Sequence, residues 1–274
     1  MKVVYLFVIM RPFMSAIAAT ITTAIYINTN IQFEIFHSIF LFFTVFLTSA
    51  FGFVLNDFID LEKDKKHHVN RILPRGLIRP NTAYYFALLL GITSILNSIS
   101  VSFPVFLLNM LTLFFLSIYS FINNRYGVVA NIITGLNCSF IFIIGMLAGN
   151  FTLLISFVSF LAFLLIIGRE IILDIRDIES DKLIEKSSFP IIYGINKSRI
   201  IAGFFFGFCT IFSVAIGVAI GNFWFNLLVV GLLNLILWTT FLYYYFTPSD
   251  KNLHSFITAT RIAFILLLPA ILLT

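Results

Sequence analysis

Long apolar runs, separated by short polar connections, repeat along the chain at about 12–29, 36–56, 82–99, 103–122, 127–148, 152–172, 200–220, 222–246 and 255–273. Each is close to the roughly 20 residues that carry a helix across a bilayer. Nine such crossings take about 180 residues of a chain of 274, and the remainder matches the connections. The pattern predicts an all-α integral membrane protein of nine transmembrane helices. Composition agrees: 60% of residues are hydrophobic and only 11% are charged, against roughly 25% charged in soluble proteins. Soluble, disordered, coiled-coil and nucleic-acid-binding classes are excluded together.

The few charges are unevenly placed. Lys63 to Arg79, Arg125, Arg169 to Arg199 and Lys251 fall in the even-numbered connections, whereas the odd-numbered ones contain no Lys or Arg. With Lys2 and Arg11 near the start, the positive-inside rule places the N-terminus and every even connection in the cytoplasm, and the C-terminus outside. The expected location is a prokaryotic plasma membrane. Arg261 alone lies inside a span. Residues 1–10 have the apolar stretch of a short signal peptide, but Arg11-Pro12 interrupts it and a second run follows at once, so no cleavable segment is expected. Cys138 and Cys209 sit in apolar runs without partners at ligand or redox spacing, and neither is given a function.

Ten of the twelve acidic residues fall in two stretches: Asp57, Asp60, Glu62 and Asp64 after the second run, and Glu170, Asp174, Asp177, Glu179, Asp181 and Glu185 after the sixth. Asp57, Asp60 and Asp64 are spaced by three and four, which puts them on one helix face. Asp174, Asp177 and Asp181 repeat that spacing. Glu62 and Glu179 extend the match, and each stretch ends an apolar helix, so an internal repeat of helix bundles is the economical explanation. Gly145xxxGly149, Gly203xxxGly207 and Gly217xxxGly221 are expected to let helices pack closely. The chain reads as one domain, 1–274, with a first motif at 56–64 and a second at 174–181.

Three like charges on one face repel unless cations or protonation relieve them. A solvated loop could hold them innocently, but Asn56-Asp57 stands directly on the end of an apolar helix, at the membrane boundary. Oxygen donors with no His or Cys partner favour a hard cation, and Mg²⁺ typically binds one or two carboxylates together with substrate phosphates. Lys63, Lys65, Lys66, Arg71, Arg75, Arg79 and Lys182 are candidates for the anion's remaining contacts. A phosphate at the cytoplasmic boundary beneath aromatic-rich helices suggests an amphiphile such as a polyprenyl diphosphate, its leaving group stabilised by metal and its allylic cation by aromatic faces.

The sequence resembles the UbiA superfamily of intramembrane prenyltransferases. The resemblance rests on Asn56-Asp57-x-x-Asp60-x-x-x-Asp64, on Asn70-Arg71-Ile72-Leu73-Pro74-Arg75-Gly76, and on Arg169-Glu170 with Asp174-x-x-Asp177-x-x-x-Asp181 and Phe189-Pro190. It implies a nine-helix bundle around a central cavity, with both Asp-rich motifs at the cytoplasmic face. Two Mg²⁺ ions would bridge the motifs to a prenyl diphosphate, and the chain would pass to a lipophilic acceptor. By the same resemblance Asn56, Asp60 and Asp64 serve one metal cluster and Asp177 and Asp181 the other, with Asp57 and Asp174 in support; Asp60, Asp64, Asp177 and Asp181 form the catalytic set. Arg11, Arg71, Arg75, Tyr119, Arg125 and Lys182 are the candidate donor or acceptor contacts. Met14, Asn124 and Glu185 depart from the family's pattern, the last replacing a common glycine.

The leading reading is transfer to an aromatic, quinone-type acceptor. The alternative is ether-lipid synthesis on a prenylglyceryl phosphate, which the Arg169-Glu170 to Asp181 stretch also resembles, and intramolecular cyclisation is a third. A transporter is disfavoured because its charges would lie near the midplane. A purely structural membrane protein has no need of duplicated acidic faces. His67-His68 and His254 lack partners at ligand spacing.

Overall fold

In the computed structural model, which describes residues 2–30, 34–67, 69–123, 125–183 and 185–273, all nine apolar runs are helical. The elements are α1 (Lys2–Ile9), α2 (Pro12–Thr29), α3 (Ile35–Ile59), α4 (Leu61–His67), α5 (Pro80–Val101), α6 (Phe103–Asn123), α7 (Gly127–Ala148) and α8 (Leu153–Arg176). They continue with α9 (Ile178–Leu183), α10 (Phe189–Tyr193), α11 (Ile195–Ile220), α12 (Phe223–Phe225), a π-helix (Asn226–Leu233), α13 (Asn234–Phe246) and α14 (Asp250–Leu272). No strand occurs among the described residues. Seven segments are long and apolar enough to cross a membrane: α3, α5, α6, α7, α8, α11 and Phe223–Phe246. Counting α1 and α2, bent by 53°, as one span makes eight. The ninth predicted run corresponds to α14, which carries Asp250, Lys251 and Arg261 and is not among them.

The bend follows from Arg11-Pro12. A residue before proline is driven out of the helical region, and Arg11 takes a left-handed conformation (φ 47°, ψ 59°) while Pro12 occupies the first turn of α2. The stretch before it is a helix, and its last residue Ile9 and the following Met10 are buried in one core cluster with Phe51, Val54 and Leu55 of α3.

The chain forms two compact units, residues 1–121 with 140–151, and residues 122–139 with 152–274. In the first, α3 packs on α2 and α5. A buried polar knot ties α3, α5 and α6: the Thr48 hydroxyl is 2.5 Å from that of Ser94 and donates to Asn109 Oδ1 at 2.6 Å, while Asn109 Nδ2 donates to Ser94 at 3.0 Å. Such bonds hold helices together where lipid offers no hydrophobic drive between them. The last part of α7 lies close against α2. A Cβ on Gly145 would stand 2.6 Å from the Thr22 carbonyl oxygen, and the Thr22 hydroxyl donates to the Ile141 carbonyl at 2.9 Å.

In the second unit α8 packs against α11 and is the most enclosed of the spans. Beyond α11, the wider π-helix frees carbonyls that Asn234 collects: its Nδ2 donates to Val229 and Val230 oxygens, each at 3.1 Å, and to Ser213 Oγ at 2.8 Å. At Gly203xxxGly207 the expected close packing holds at the first glycine and fails at the second: a Cβ on Gly203 would stand 3.3 Å from the Phe241 ring, closer than ordinary contact, whereas one on Gly207 would meet nothing within 4 Å.

Candidate active site

The two Asp-rich motifs share one local geometry. Asp60 caps α3 (φ −80°, ψ 5°), and the helix resumes as α4 at Leu61. Asp177 caps α8 (φ −94°, ψ 9°), and the helix resumes as α9 at Ile178. In both cases the break is bridged, because Asp64 N–H donates to the Asp60 carbonyl and Asp181 N–H to the Asp177 carbonyl, each at 2.8 Å. The sequence repeat is therefore also a repeat of backbone form, with the middle aspartate at the break.

In the first unit Asp57, Asp60 and Asp64 are buried at 7%, 9% and 2% exposure. Each is neutralised or bridged locally. Arg11 Nη2 donates to Asp57 Oδ1 at 2.7 Å, Arg71 Nη1 to Asp64 Oδ2 at 2.6 Å, and Arg71 also lies 3.8 Å from Asp57. Asn56 Nδ2 donates to Asp60 Oδ2 at 3.0 Å. The bend at Arg11 delivers its guanidinium to this cluster and over the Phe53 ring, 4.9 Å from the centroid. Arg71 is fixed from the other side, since Leu73 and Ile78, on the loop that follows it, are buried in the unit's core. Gly76, at φ 68°, makes the turn between them.

In the second unit Asp174 and Asp181 are buried, Asp181 completely, while Asp177 is partly exposed. Lys186, which the sequence reading passed over, is also buried and bridges the two: its Nζ lies 3.0 Å from Asp174 Oδ1 and 3.1 Å from Asp181 Oδ2. Burial opposes its charge, but the two carboxylates outweigh that effect and hold the lysine pKa above its ordinary value. Asn131 Nδ2 donates to the other oxygen of Asp174 at 2.8 Å. Gly127 makes room for this arrangement, as a Cβ there would stand 2.6 Å from Lys186 Cε. Arg176 forks onto Asp177 at 2.7 and 2.8 Å. One turn deeper, Arg169 pairs with Glu170 at 2.6 Å and donates to the Thr260 hydroxyl at 3.2 Å.

Nothing in the spacing pointed to Lys186, which lies five residues past the last aspartate, or to Asn131, an amide inside an apolar run. Glu185, placed where the family commonly has glycine, has φ 54°. The left-handed backbone explains the glycine preference and shows that the turn survives the replacement.

Other expected contacts fall elsewhere. Arg75 is exposed, and its N–H closes a turn onto the Arg71 carbonyl at 3.1 Å. Tyr119 is partly buried on α6 of the first unit. Arg125 belongs to the second, where its guanidinium lies 5.4 Å over the Tyr126 ring. Lys182 lines a separate cavity. His254 and Arg261 are exposed, whereas His68, Asn124 and the side chains of His67 and Lys66 lie outside the described residues.

The donors suit Mg²⁺ in kind, being carboxylate and amide oxygens without His or Cys. Among the described residues, however, no three acidic, His or Cys side chains converge as a metal cage. The carboxylates are drawn to Arg11, Arg71, Arg176 and Lys186 instead, so metal binding requires these cations to yield or share them.

The profile of the UbiA prenyltransferase family matches residues 17–268. Digeranylgeranylglyceryl phosphate synthase of Methanocaldococcus jannaschii is 33% identical over 178 residues, 65% of this chain; that match spans 62% of the relative's own length. A solved structure described as digeranylgeranylglyceryl phosphate synthase in membranes superposes with a TM-score of 0.80 at 25% identity, covering 99% of this chain and 97% of the other. A UbiA homologue from Archaeoglobus fulgidus, solved with GPP and Mg²⁺, shares the fold at a TM-score of 0.72 and 15% identity, covering 98% and 99% of the two chains.

Proposed function

The chain belongs to the UbiA prenyltransferase family, and from that membership we propose that it transfers a prenyl chain from a prenyl diphosphate to a prenylglyceryl phosphate. The observation that carries prenyl transfer is the pair of Asp-rich motifs with the same helix break at Asp60 and Asp177. The acceptor follows from the relatives, which favour the ether-lipid alternative over the aromatic acceptor that led the sequence reading.

In this reading the allylic C–O bond of the donor breaks, the acceptor hydroxyl oxygen forms the new C–O bond and loses its proton, and diphosphate leaves. Mg²⁺, when bound, supplies Lewis-acid stabilisation of the departing diphosphate. Asn56, Asp60 and Asp64 would hold it in the first motif, and Asp177 and Asp181 in the second. Arg11 and Asp57 keep the first motif oriented, as Asn131 and Asp174 do the second. Arg71, released from Asp64, provides a guanidinium suited to diphosphate oxygens. Nine crossings, with α14 as the ninth and both motifs toward the cytoplasm, complete the proposal; the distribution of Lys and Arg supports that orientation.

Purified protein supplied with Mg²⁺, radiolabelled geranylgeranyl diphosphate and either a prenylglyceryl phosphate or an aromatic acid tests the acceptor. Label is expected in the ether lipid, and label only in the aromatic product refutes this choice. The double variant Asp60→Asn with Asp177→Asn should lose Mg²⁺-dependent transfer, and full retention refutes the metal assignment.

A further inference from the structure

Arg169 and Glu170 put a charged pair inside a span: Glu170 lies about 9 Å, at the helical rise, from the end of α8 at Arg176. Ionisable groups at such depth are costly and line the interior of a bundle rather than face lipid. Between Leu161 and Asp177, the residues of α8 that are not buried are Phe163, Arg169, Glu170, Leu173, Arg176 and Asp177. At 100° per residue all six fall on one side of the helix. Glu170 stands seven residues, two turns, before Asp177, so the two carboxylates share a direction and are separated by about 10 Å along the axis.

The pair is held so that one carboxylate oxygen stays free. The Thr260 hydroxyl donates to the Ile257 carbonyl at 2.9 Å and accepts from Arg169 Nε at 3.2 Å. Arg169 Nη1 in turn donates to Glu170 Oε1 at 2.6 Å. Glu170 Oε2 makes no hydrogen bond among the described residues, yet it is not one of the buried polar atoms that lack a partner. The side chain keeps 15% exposure beside the fully buried Ile171 and Ile172. An ion pair with a purely structural role has its polar atoms satisfied or sealed away, whereas this one turns an acceptor towards open space. The other carboxylates on α8 have both oxygens engaged, Asp174 by Lys186 and Asn131 and Asp177 by the two arms of Arg176.

We propose that Glu170 takes the proton from the acceptor hydroxyl during transfer. The assignment rests on the reading of prenyl transfer to a prenylglyceryl phosphate, and goes beyond it by giving the displaced proton a destination in this chain. With the diphosphate at the aspartates, the apolar prenyl chain runs from the end of α8 towards the bilayer interior, which puts the allylic carbon between the depths of Asp177 and Glu170. The allylic C–O bond breaks with its electron pair going to diphosphate, and the hydroxyl oxygen gives a pair to the allylic carbon. Its O–H bond breaks as Glu170 Oε2 accepts the proton, which the carboxyl then returns to water. Arg169, anchored on Thr260, fixes the direction in which Oε2 points.

Full-length protein in detergent, supplied with Mg²⁺, geranylgeranyl diphosphate and geranylgeranylglyceryl phosphate, tests the assignment. Glu170→Gln keeps the size of the side chain and an oxygen for Arg169 but cannot take a proton. It should lower kcat about 100-fold or more, while KM for both substrates stays within about twofold of wild type. Binding of the unreactive geranylgeranyl thiodiphosphate, read by native mass spectrometry, should be unchanged. Glu170→Ala opens space for a small carboxylate and should regain rate with added formate but not with chloride at the same ionic strength. Full kcat in the Gln variant overturns the assignment, as does a loss confined to KM or to analogue binding, or a folded Ala variant that formate does not restore. If wild-type protein transfers no prenyl group to this acceptor, the function reading fails and takes the assignment with it; an active wild type beside an equally active Gln variant overturns the assignment alone.

Discussion

Replacing Lys186 with methionine leaves Asp174 and Asp181 buried without their shared cation while preserving much of the side-chain volume. At 3.0 and 3.1 Å and an effective dielectric constant near 20, each pair is attractive by about 5 kcal/mol. Desolvation offsets several kcal/mol of this for each ion, and breaking a buried pair by removing one partner typically costs about 3–5 kcal/mol. Asn131 still satisfies one oxygen of Asp174, which favours the lower half of that range. At a few degrees per kcal/mol, the variant should unfold on the order of 10 °C below wild type in a chelator. Because the lysine pKa is raised, this stabilisation is complete below the ordinary value of about 10.4 and is lost only as pH rises through the higher folded value. At pH 7 the lysine is therefore charged in the folded and unfolded states alike. Saturating Mg²⁺ should restore most of the loss and should bind the variant more tightly, because no ammonium competes for the carboxylates. The readout is thermal unfolding in detergent with and without Mg²⁺. Identical unfolding temperatures in chelator, or a loss that Mg²⁺ does not repair, refute the reasoning.

Glu185→Gly relieves a left-handed residue and is expected to stabilise the protein by about 1 kcal/mol, visible as a higher unfolding temperature; a decrease argues that the Glu185 side chain contributes more than its backbone costs. Gly145→Ala drives a Cβ against the Thr22 carbonyl and should destabilise by about 1–3 kcal/mol, whereas Gly207→Ala, which meets nothing, should be neutral or stabilising by about 1 kcal/mol; equal effects contradict the difference in packing. Asn131→Leu removes the neutral partner of Asp174 and should lower stability in chelator by about 1–3 kcal/mol, less than Lys186→Met does.

Hydrophobic periodicity alone located every long helix, because a bilayer demands about 20 apolar residues per crossing and that demand is written locally. The aspartate faces were legible for the same reason, since spacings of three and four define a helix face without reference to the rest of the chain. Local spacing could not show that both motifs break at their middle aspartate, nor that the single run at 222–246 passes through a π-helix. The partners of the carboxylates were decided by tertiary structure. Arg11 reaches Asp57 across 46 residues of sequence, Asn131 reaches Asp174 across 43, and Lys186 returns to both its aspartates through a loop that Gly127 allows to close. Gly203xxxGly207 had the spacing of a packing motif, yet only Gly203 packs closely, against Phe241, while Gly207 faces open space. The sequence by itself determined the helices and their acidic faces, which depend on neighbours three and four residues apart; the cations that hold those faces, and the surfaces left open, depend on which distant segments the fold brings within a few ångströms.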